Sequence, residues 1–256
     1  MESLRVSSLI PMYYESSGSG VPIVFIHPPH MDHVVFRYQR ELAEHFCVIL
    51  YDVRGHGRSG IDMEPLTIPI LADDLRLLLD KLDIDQAVVC GYSAGGSVAQ
   101  EFALTYPERL KALILSGGFP QVNTFILKNE FRAGMAIVKN GQQRFLCNVL
   151  SFSHRNTSED RHDLFQHCIK ADERMAFQFY KEALHYNCVD RLPELSAPLL
   201  LLSGSRAFHM HAYVRQYLDR VKQAESVVIA NANHQLPIKN YLPFNHAVRT
   251  FVQDLD

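Results

Sequence analysis

The sequence predicts an α/β protein with a mostly parallel, doubly wound sheet and an inserted helical segment. Short runs of β-branched and apolar residues recur along the 256-residue chain and alternate with segments of helical spacing. Residues 119–192 break this alternation, because they lack such runs and are rich in phenylalanine, histidine and helix-forming residues. We therefore expect residues 1–118 and 193–256 to form the core and residues 119–192 to form a helical cap.

The predicted strands are almost continuous in apolar residues, which is typical of a parallel sheet covered on both faces. They lie at residues 21–27, 47–52, 87–91, 110–115, 198–203 and 226–230. A helix is predicted over residues 69–82, where leucines recur on one face. The cap is expected to hold helices over residues 124–139, 142–150, 159–169 and 173–186. In an open sheet of this kind, ligands bind beyond the carboxyl ends of the strands.

The net charge and the cysteine content argue against several kinds of partner and site. The formal net charge is -3, with acidic and basic residues interspersed, so we expect a small-molecule substrate and neither a nucleic-acid nor a membrane partner. The five cysteines include no Cys-x-x-Cys pair, which argues against a disulfide framework and against a zinc site. With no apolar run of membrane-spanning length, a cytoplasmic location is expected. The oligomeric state is left open.

The strongest motif is Gly91-Tyr92-Ser93-Ala94-Gly95, which lies between a predicted strand and a helix-like segment. The two outer glycines permit a sharp turn, so that the Ser93 hydroxyl projects from the sheet edge at a helix N-terminus. A serine hydroxyl attacks only when a neighbouring base takes its proton. Such a motif can occur by chance in a loop, but the strand and helix context favours Ser93 as a nucleophile.

With this motif the sequence resembles the α/β-hydrolase family along almost the whole chain. Residues 51–59 are similar to the family's Asp-x-Arg-Gly-His-Gly-x-Ser turn, and residues 106–113 to its Pro-Glu-Arg-Val stretch. The resemblance implies a sheet of the α/β-hydrolase type, a structural role for His56 and a catalytic base at His234, after the last strand. It also implies a serine esterase that hydrolyses a small, largely apolar carboxylic ester, thioester or lactone through an acyl-enzyme, without a cofactor. Family members include carbon–carbon bond hydrolases and cofactor-free peroxidases, which stay open as alternatives.

This sequence departs from the family's pattern at the third residue of the catalytic triad, the acid. The family carries an aspartate in a Gly-x-x-Asp turn, and this chain reads Gly204-Ser205-Arg206-Ala207. The acid position is thus vacant, with Ala207 in its place, and Asp190 matches a structural aspartate of the family instead. Three interpretations follow: a Ser–His dyad, a carboxylate reaching in from the cap, or a sequence altered to remove its acid. A catalytically impaired ligand-binding protein is the rival function.

The loop His27-Pro28-Pro29-His30 stands where the family carries one half of its oxyanion hole. The resemblance implies one donor at the backbone N–H of Ala94. Proline has no N–H, so the second donor must be His30 or a neighbouring residue. The pattern His30-x-Asp32-His33 is similar to a motif of metal-dependent lactonases, but its spacing is wrong and no metal site is predicted.

The predicted cap is rich in aromatic and methionine side chains. Most of them are expected to pack the cap on the core, because an amphipathic helix must bury one face. The weaker inference is a mostly apolar pocket of small-molecule size above Ser93.

Overall fold

An eight-stranded sheet forms the centre of the molecule in the computed structural model, which describes the backbone of residues 2–5 and all of residues 10–255. The strand order is β1-β2-β4-β3-β5-β6-β7-β8. The strands are β1 (Glu2–Arg5), β2 (Pro11–Ser17), β3 (Pro22–Ile26), β4 (Cys47–Tyr51), β5 (Ala87–Tyr92), β6 (Leu110–Ser116), β7 (Leu199–Gly204) and β8 (Ala224–Ile229).

The strands from β3 to β8 run parallel, whereas β1 and β2 pair antiparallel at one edge. The parallel register aligns Ile26 with Gly91, Tyr92 with Ser116, and Ser116 with Leu202. The carboxyl ends of β3, β5, β6 and β7 therefore meet at one edge of the sheet. The predicted fold class is confirmed, and the antiparallel edge is an addition to it.

Nine α-helices are found in the described residues, besides three 3-10 helices at His33–Glu44, Pro107–Arg109 and Val189–Glu194. The α-helices are α1 (Ile68–Lys81), α2 (Gly95–Thr105), α3 (Phe125–Lys139), α4 (Gln143–His154), α5 (Ser158–Cys168), α6 (Glu173–His185), α7 (Phe208–Leu218), α8 (Leu236–Lys239) and α9 (Tyr241–Gln253). Successive residues of β5 enter different cores, Val89 packing with α1 and α2 and Val88 with α9. This alternation is the strand period of two, and it makes the sheet doubly wound. Within the described residues, none of these helices is long and apolar enough to cross a membrane.

Helices α3 to α6 follow one another between β6 and β7, inside the segment expected to form the cap. Their bounds agree with the predicted helices within about two residues, except that α4 continues four residues beyond its predicted end at residue 150. The hydroxyls of Ser151 and Ser153 donate to the carbonyls of Asn148 and Leu150 in this last turn. Such local bonds satisfy serines that would otherwise compete with the helix backbone.

Candidate active site

Ser93 lies at the sharp turn between β5 and α2, with a left-handed backbone φ of +53°. Its N–H donates to the carbonyl of Ser116 at 2.9 Å, which ties the turn to the end of β6. A Cβ at Gly91 would lie 2.6 Å from the Cα of Gly96, and one at Gly95 would lie 2.2 Å from the carbonyl oxygen of Ile26. Glycine at both positions therefore lets α2 approach the strands closely enough to form the turn.

The half-buried Ser93 opens into a cavity of about 600 Å³ that His234 also lines. The strand ends and the segments that follow them contribute most of the polar side chains of its lining, namely Tyr92, Ser93, Arg206, His209, Asn233, His234 and Gln235. The inserted helices contribute many of its apolar side chains, among them Leu127, Phe131, Ile137, Leu146, Val149 and Leu150. The fold thus brings the two predicted catalytic residues to one cavity. No hydrogen bond joins Ser93 to His234 in the described part of the chain; catalytic hydrogen bonds are often long before substrate binds.

The His234 imidazole packs directly against Gly117, the residue after β6. Gly117 has a φ of +59°, and a Cβ there would lie 2.5 Å from Cε1 and 2.6 Å from Nδ1 of His234. The Nδ1 atom is buried and lacks a hydrogen-bond partner among the described residues. Desolvation, together with the nearby imidazoles of His154 and His209, lowers the pKa of His234 to about 3. The ring is therefore neutral near pH 7.

Ala207 is buried at the start of α7 and lines the same cavity. Its turn packs on the loop that carries His234. The N–H of Arg206 donates to the carbonyl of Ala232 at 2.9 Å, and a Cβ at Gly204 would lie 2.3 Å from that same oxygen. The position at which the family carries its acid is thus beside the histidine loop and carries only a methyl group.

One carboxylate, that of Glu130 on α3, is found among the described residues that line the cavity. Glu130 is exposed, and no hydrogen bond between it and His234 occurs in the described ranges. If the inserted helices supply the acid, Glu130 is therefore the single candidate among the described residues that line this cavity.

The sequence pattern does not single out His154, which lies at the end of α4. The Nδ1–H of His154 donates to the carbonyl of Leu150 at 2.9 Å, so its Nε2 accepts the hydroxyl hydrogen of Tyr92 at 2.9 Å. Burial lowers the pKa of His154 to about 4, which keeps it a neutral acceptor. The residue that precedes Ser93 is therefore tied to α4, a contact between positions 62 residues apart.

The loop after β3 forms a tight turn, closed by the N–H of Met31 donating to the carbonyl of Pro28 at 3.2 Å. Pro29 holds the second position and His30, with a φ of +60°, the third, which is the pattern of a type II turn. The N–H groups of His30 and Ala94 have no hydrogen-bond partner within the described chain. Both donors expected for an oxyanion hole are thus uncommitted.

The His30 side chain is fully buried, stacks on Tyr180 at 5.7 Å between ring centroids, and has no partner for either ring nitrogen among the described residues. Burial lowers its pKa to about 4. His56, expected to be structural, is buried, and its Nδ1–H donates to the carbonyl of Arg54 at 3.1 Å. Burial also holds the pKa of His56 well below its usual value.

The Asp32 and His33 side chains meet His167 of α5, which sequence reasoning missed. Ligand-type atoms of these three residues lie within 4.8 Å of one another. His167 Nδ1 lies 2.5 Å from Asp32 Oδ2, and His33 Nδ1 lies 2.7 Å from Asp52 Oδ1. Burial alone would lower the pKa of His33, but the hydrogen bond to Asp52 outweighs it and raises that pKa. These hydrogen-bonded contacts between carboxylates and imidazoles join the core to α5.

The chain is similar to known proteins both in sequence and in structure. The family model described as "alpha/beta hydrolase fold" matches residues 21–188. A 3-oxoadipate enol-lactonase of Acinetobacter baylyi is 26% identical over 84% of this chain and 83% of that protein. A putative carbamate hydrolase, RutD, of Azorhizobium caulinodans is 37% identical, but the match spans only 45% of this chain and 44% of that protein.

A solved structure of a thermophilic esterase from Thermogutta terrifontis, with malate bound, superposes with a TM-score of 0.83 and 28% identity. The superposition covers 96% of this chain and 94% of that one. Three observations indicate the same fold: the strand order, the turn at Ser93 and the family-model match over residues 21–188. The chain belongs to the α/β hydrolase fold family.

Proposed function

We propose that this protein is a serine hydrolase that cleaves a small, largely apolar carboxylic ester, thioester or lactone through an acyl-enzyme. One observation carries the proposal: Ser93, at a strained turn before a helix, opens into the cavity that His234 also lines. The apolar lining supplied by α3 and α4 suits an acyl chain or an apolar alcohol. Residues 119–192 act in this proposal as a cap over the cavity.

The relatives support the same class of chemistry. Their names describe a carbamate hydrolase, an enol-lactonase and an esterase. A carbonyl flanked by a heteroatom is common to carbamates, lactones and esters. We therefore place the reacting carbonyl above Ser93.

In the proposed reaction the Ser93 hydroxyl attacks the carbonyl carbon while His234 takes its proton. The N–H groups of Ala94 and His30 face the oxyanion of the tetrahedral intermediate. His234 then returns the proton to the leaving alcohol, thiol or alkoxide as the bond to carbon breaks. A water molecule, deprotonated by the same imidazole, attacks the acyl-enzyme, and collapse of the second intermediate releases the acid and regenerates Ser93.

The proposed base is an imidazole that no carboxylate of the described residues assists. With no partner at Nδ1 among the described residues, His234 gains no stabilisation as a cation, and its lowered pKa makes it a weak base. This observation favours a second candidate function, a ligand-binding protein that retains the cavity but turns over slowly. The two functions differ in whether Ser93 reacts.

A fluorophosphonate probe should label Ser93 stoichiometrically, because the turn exposes its hydroxyl beside a neutral base. Intact mass and peptide mapping measure the labelling, and hydrolysis of p-nitrophenyl butyrate measures turnover. Ser93→Ala should abolish both, whereas Ser153→Ala, which removes another serine of the same cavity, should still be labelled. Labelling elsewhere, or ester turnover that survives Ser93→Ala, would contradict the proposed nucleophile.

The pH dependence of kcat/KM should show no loss between pH 8 and about pH 4, because the base must be unprotonated and the pKa of His234 lies at about 3. Activity should fall only as the pH drops through that low pKa. The measurement is kcat/KM across this range, with circular dichroism at each pH to show that the fold persists. An acid limb centred near the usual histidine pKa would show that His234 is not desolvated in the free enzyme.

A further inference from the structure

The imidazole of His234 is oriented by packing, because its Nδ1 has no hydrogen-bond partner in the described part of the chain. In a catalytic triad the carboxylate at this atom orients the ring. Here the ring lies against the backbone of Gly117 and near two aromatic rings, Tyr92 at a centroid distance of 5.4 Å and His209 at 6.3 Å. The closer of these two rings, Tyr92, is therefore a main determinant of the direction in which His234 points.

The Tyr92 side chain is itself held by a hydrogen bond at the tip of its ring. Its hydroxyl donates to Nε2 of His154 at 2.9 Å, and Tyr92 and His154 are only 1% and 6% exposed. Phe36 contacts the Tyr92 ring edge-on, at a centroid distance of 6.4 Å. Loss of the acceptor would leave a buried hydroxyl without a partner, so the side chain would have to move to find one. The position of Tyr92 therefore depends on His154.

His154 is the last residue of α4, and its ring is fixed within that helix. Its Nδ1–H donates to the carbonyl of Leu150 at 2.9 Å, which leaves Nε2 as an acceptor. Burial lowers the pKa of His154 to about 4, so the ring keeps this role at neutral pH. The side chains of Tyr92 and His154 line the same cavity as the proposed nucleophile and base. A chain of contacts thus runs from α4 through Tyr92 to His234.

We propose that His154 is a positioning residue: through the Tyr92 hydroxyl it keeps the Tyr92 ring against His234 and supplies orientation that a carboxylate gives in a complete triad. This inference rests on the proposed function, because it assigns a role toward the base of that reaction. The methyl group of Ala207 cannot orient the imidazole, so packing has to do so. Turnover then requires α4 to be in place, since α4 carries His154.

His154→Leu tests the proposal in the full chain, because leucine is apolar and cannot accept a hydrogen bond. It should lower kcat for p-nitrophenyl butyrate by about tenfold or more, since displacing a catalytic group by about 1 Å costs about a hundredfold. His154→Gln should keep most of the activity, because its side-chain carbonyl can accept the Tyr92 hydroxyl hydrogen. Thermal unfolding of each variant shows that it is folded at the assay temperature.

Tyr38→Phe is the matched control, since it also removes a hydrogen bond between the core and an inserted helix. The Tyr38 hydroxyl donates to Asp160 of α5 at 3.0 Å, and neither residue lines the cavity. This variant should lose stability and keep its kcat. If its kcat falls as far as that of His154→Leu, the loss reflects looser packing of the inserted helices and the proposal is overturned.

A second comparison separates positioning from general destabilisation. An aspartate at position 207 is expected to orient His234 through Nδ1, so His154→Leu should cost less kcat in the Ala207→Asp background than in wild type. A merely structural role would give the same loss in both backgrounds. The proposal is overturned if Ala207→Asp raises turnover and the loss caused by His154→Leu is undiminished.

Nuclear magnetic resonance of protein with isotope-labelled histidine tests the proposal without turnover. The His234 cross-peaks, assigned by their loss in His234→Ala, should be displaced more in His154→Leu than in His154→Gln. Both variants lack the His154 ring, so a difference between them reports the hydrogen bond to Tyr92. Equal cross-peaks in the two variants, or a wild-type kcat in His154→Leu, would overturn the proposal. If wild type shows no turnover, the proposed hydrolysis fails, and the cross-peaks alone decide whether His154 orients His234.

Discussion

Ala207→Asp should raise the turnover of a p-nitrophenyl ester by at least about tenfold, equivalent to roughly 1.4 kcal/mol of activation barrier. The turn that carries residue 207 packs on the loop of His234, whose Nδ1 has no hydrogen-bond partner among the described residues. A carboxylate there would accept the Nδ1–H, hold the productive tautomer and stabilise the imidazolium formed during attack. It should also raise the pKa of His234, so the acid limb of the pH profile should move upward.

Ala207→Asn is the matched control, because it adds a side chain of the same shape without charge. Turnover should rise much less in this variant than in Ala207→Asp. Glu130→Gln tests the other source of an acid and should leave turnover unchanged. If Glu130→Gln abolishes turnover, or if aspartate at position 207 gives no gain, the third catalytic group must be sought on the inserted helices.

Gly117→Ala should lower kcat/KM by about a hundredfold, the effect of displacing a catalytic group by about 1 Å. The added Cβ would lie 2.5 Å from the His234 ring, so the imidazole must move away from Ser93 or the backbone must yield. The comparison requires a variant with the same backbone strain and no clash. Gly141→Ala supplies it, because Gly141 has a φ of +68° and a Cβ added there would meet nothing within 4 Å.

The strain of alanine at positive φ should cost both variants on the order of 1 kcal/mol, and the clash with His234 should add to that cost in Gly117→Ala. Thermal unfolding measures the stability of each variant, and ester kinetics measure the effect on the site. If Gly141→Ala impairs turnover as much as Gly117→Ala does, the loss reflects general destabilisation and not displacement of His234.

The sequence predicted those parts of the site whose geometry is local. Gly91, Ser93 and Gly95 lie within five residues, and the strand before them and the helix after them follow from short-range patterns. Strand β2 was not predicted, because its residues are exposed at both ends and mostly polar toward its carboxyl end, so it lacks the apolar run of a central strand.

Contacts between distant residues could not be predicted from one sequence. His154 lies 62 residues from Tyr92, and His167 lies 135 residues from Asp32. Neither histidine stands in a motif, and their roles arise only when α4 and α5 pack on the core.

The contact between Asp32 and His167 ties α5 to the loop after β3. Asp32 is 2% exposed and its Oδ2 lies 2.5 Å from His167 Nδ1, so withdrawing α5 would break this hydrogen bond and expose the carboxylate to water. A hydrogen bond to a charged group contributes about 1.5–3 kcal/mol. Opening of the cavity by movement of the inserted helices should therefore cost least where this contact stays intact.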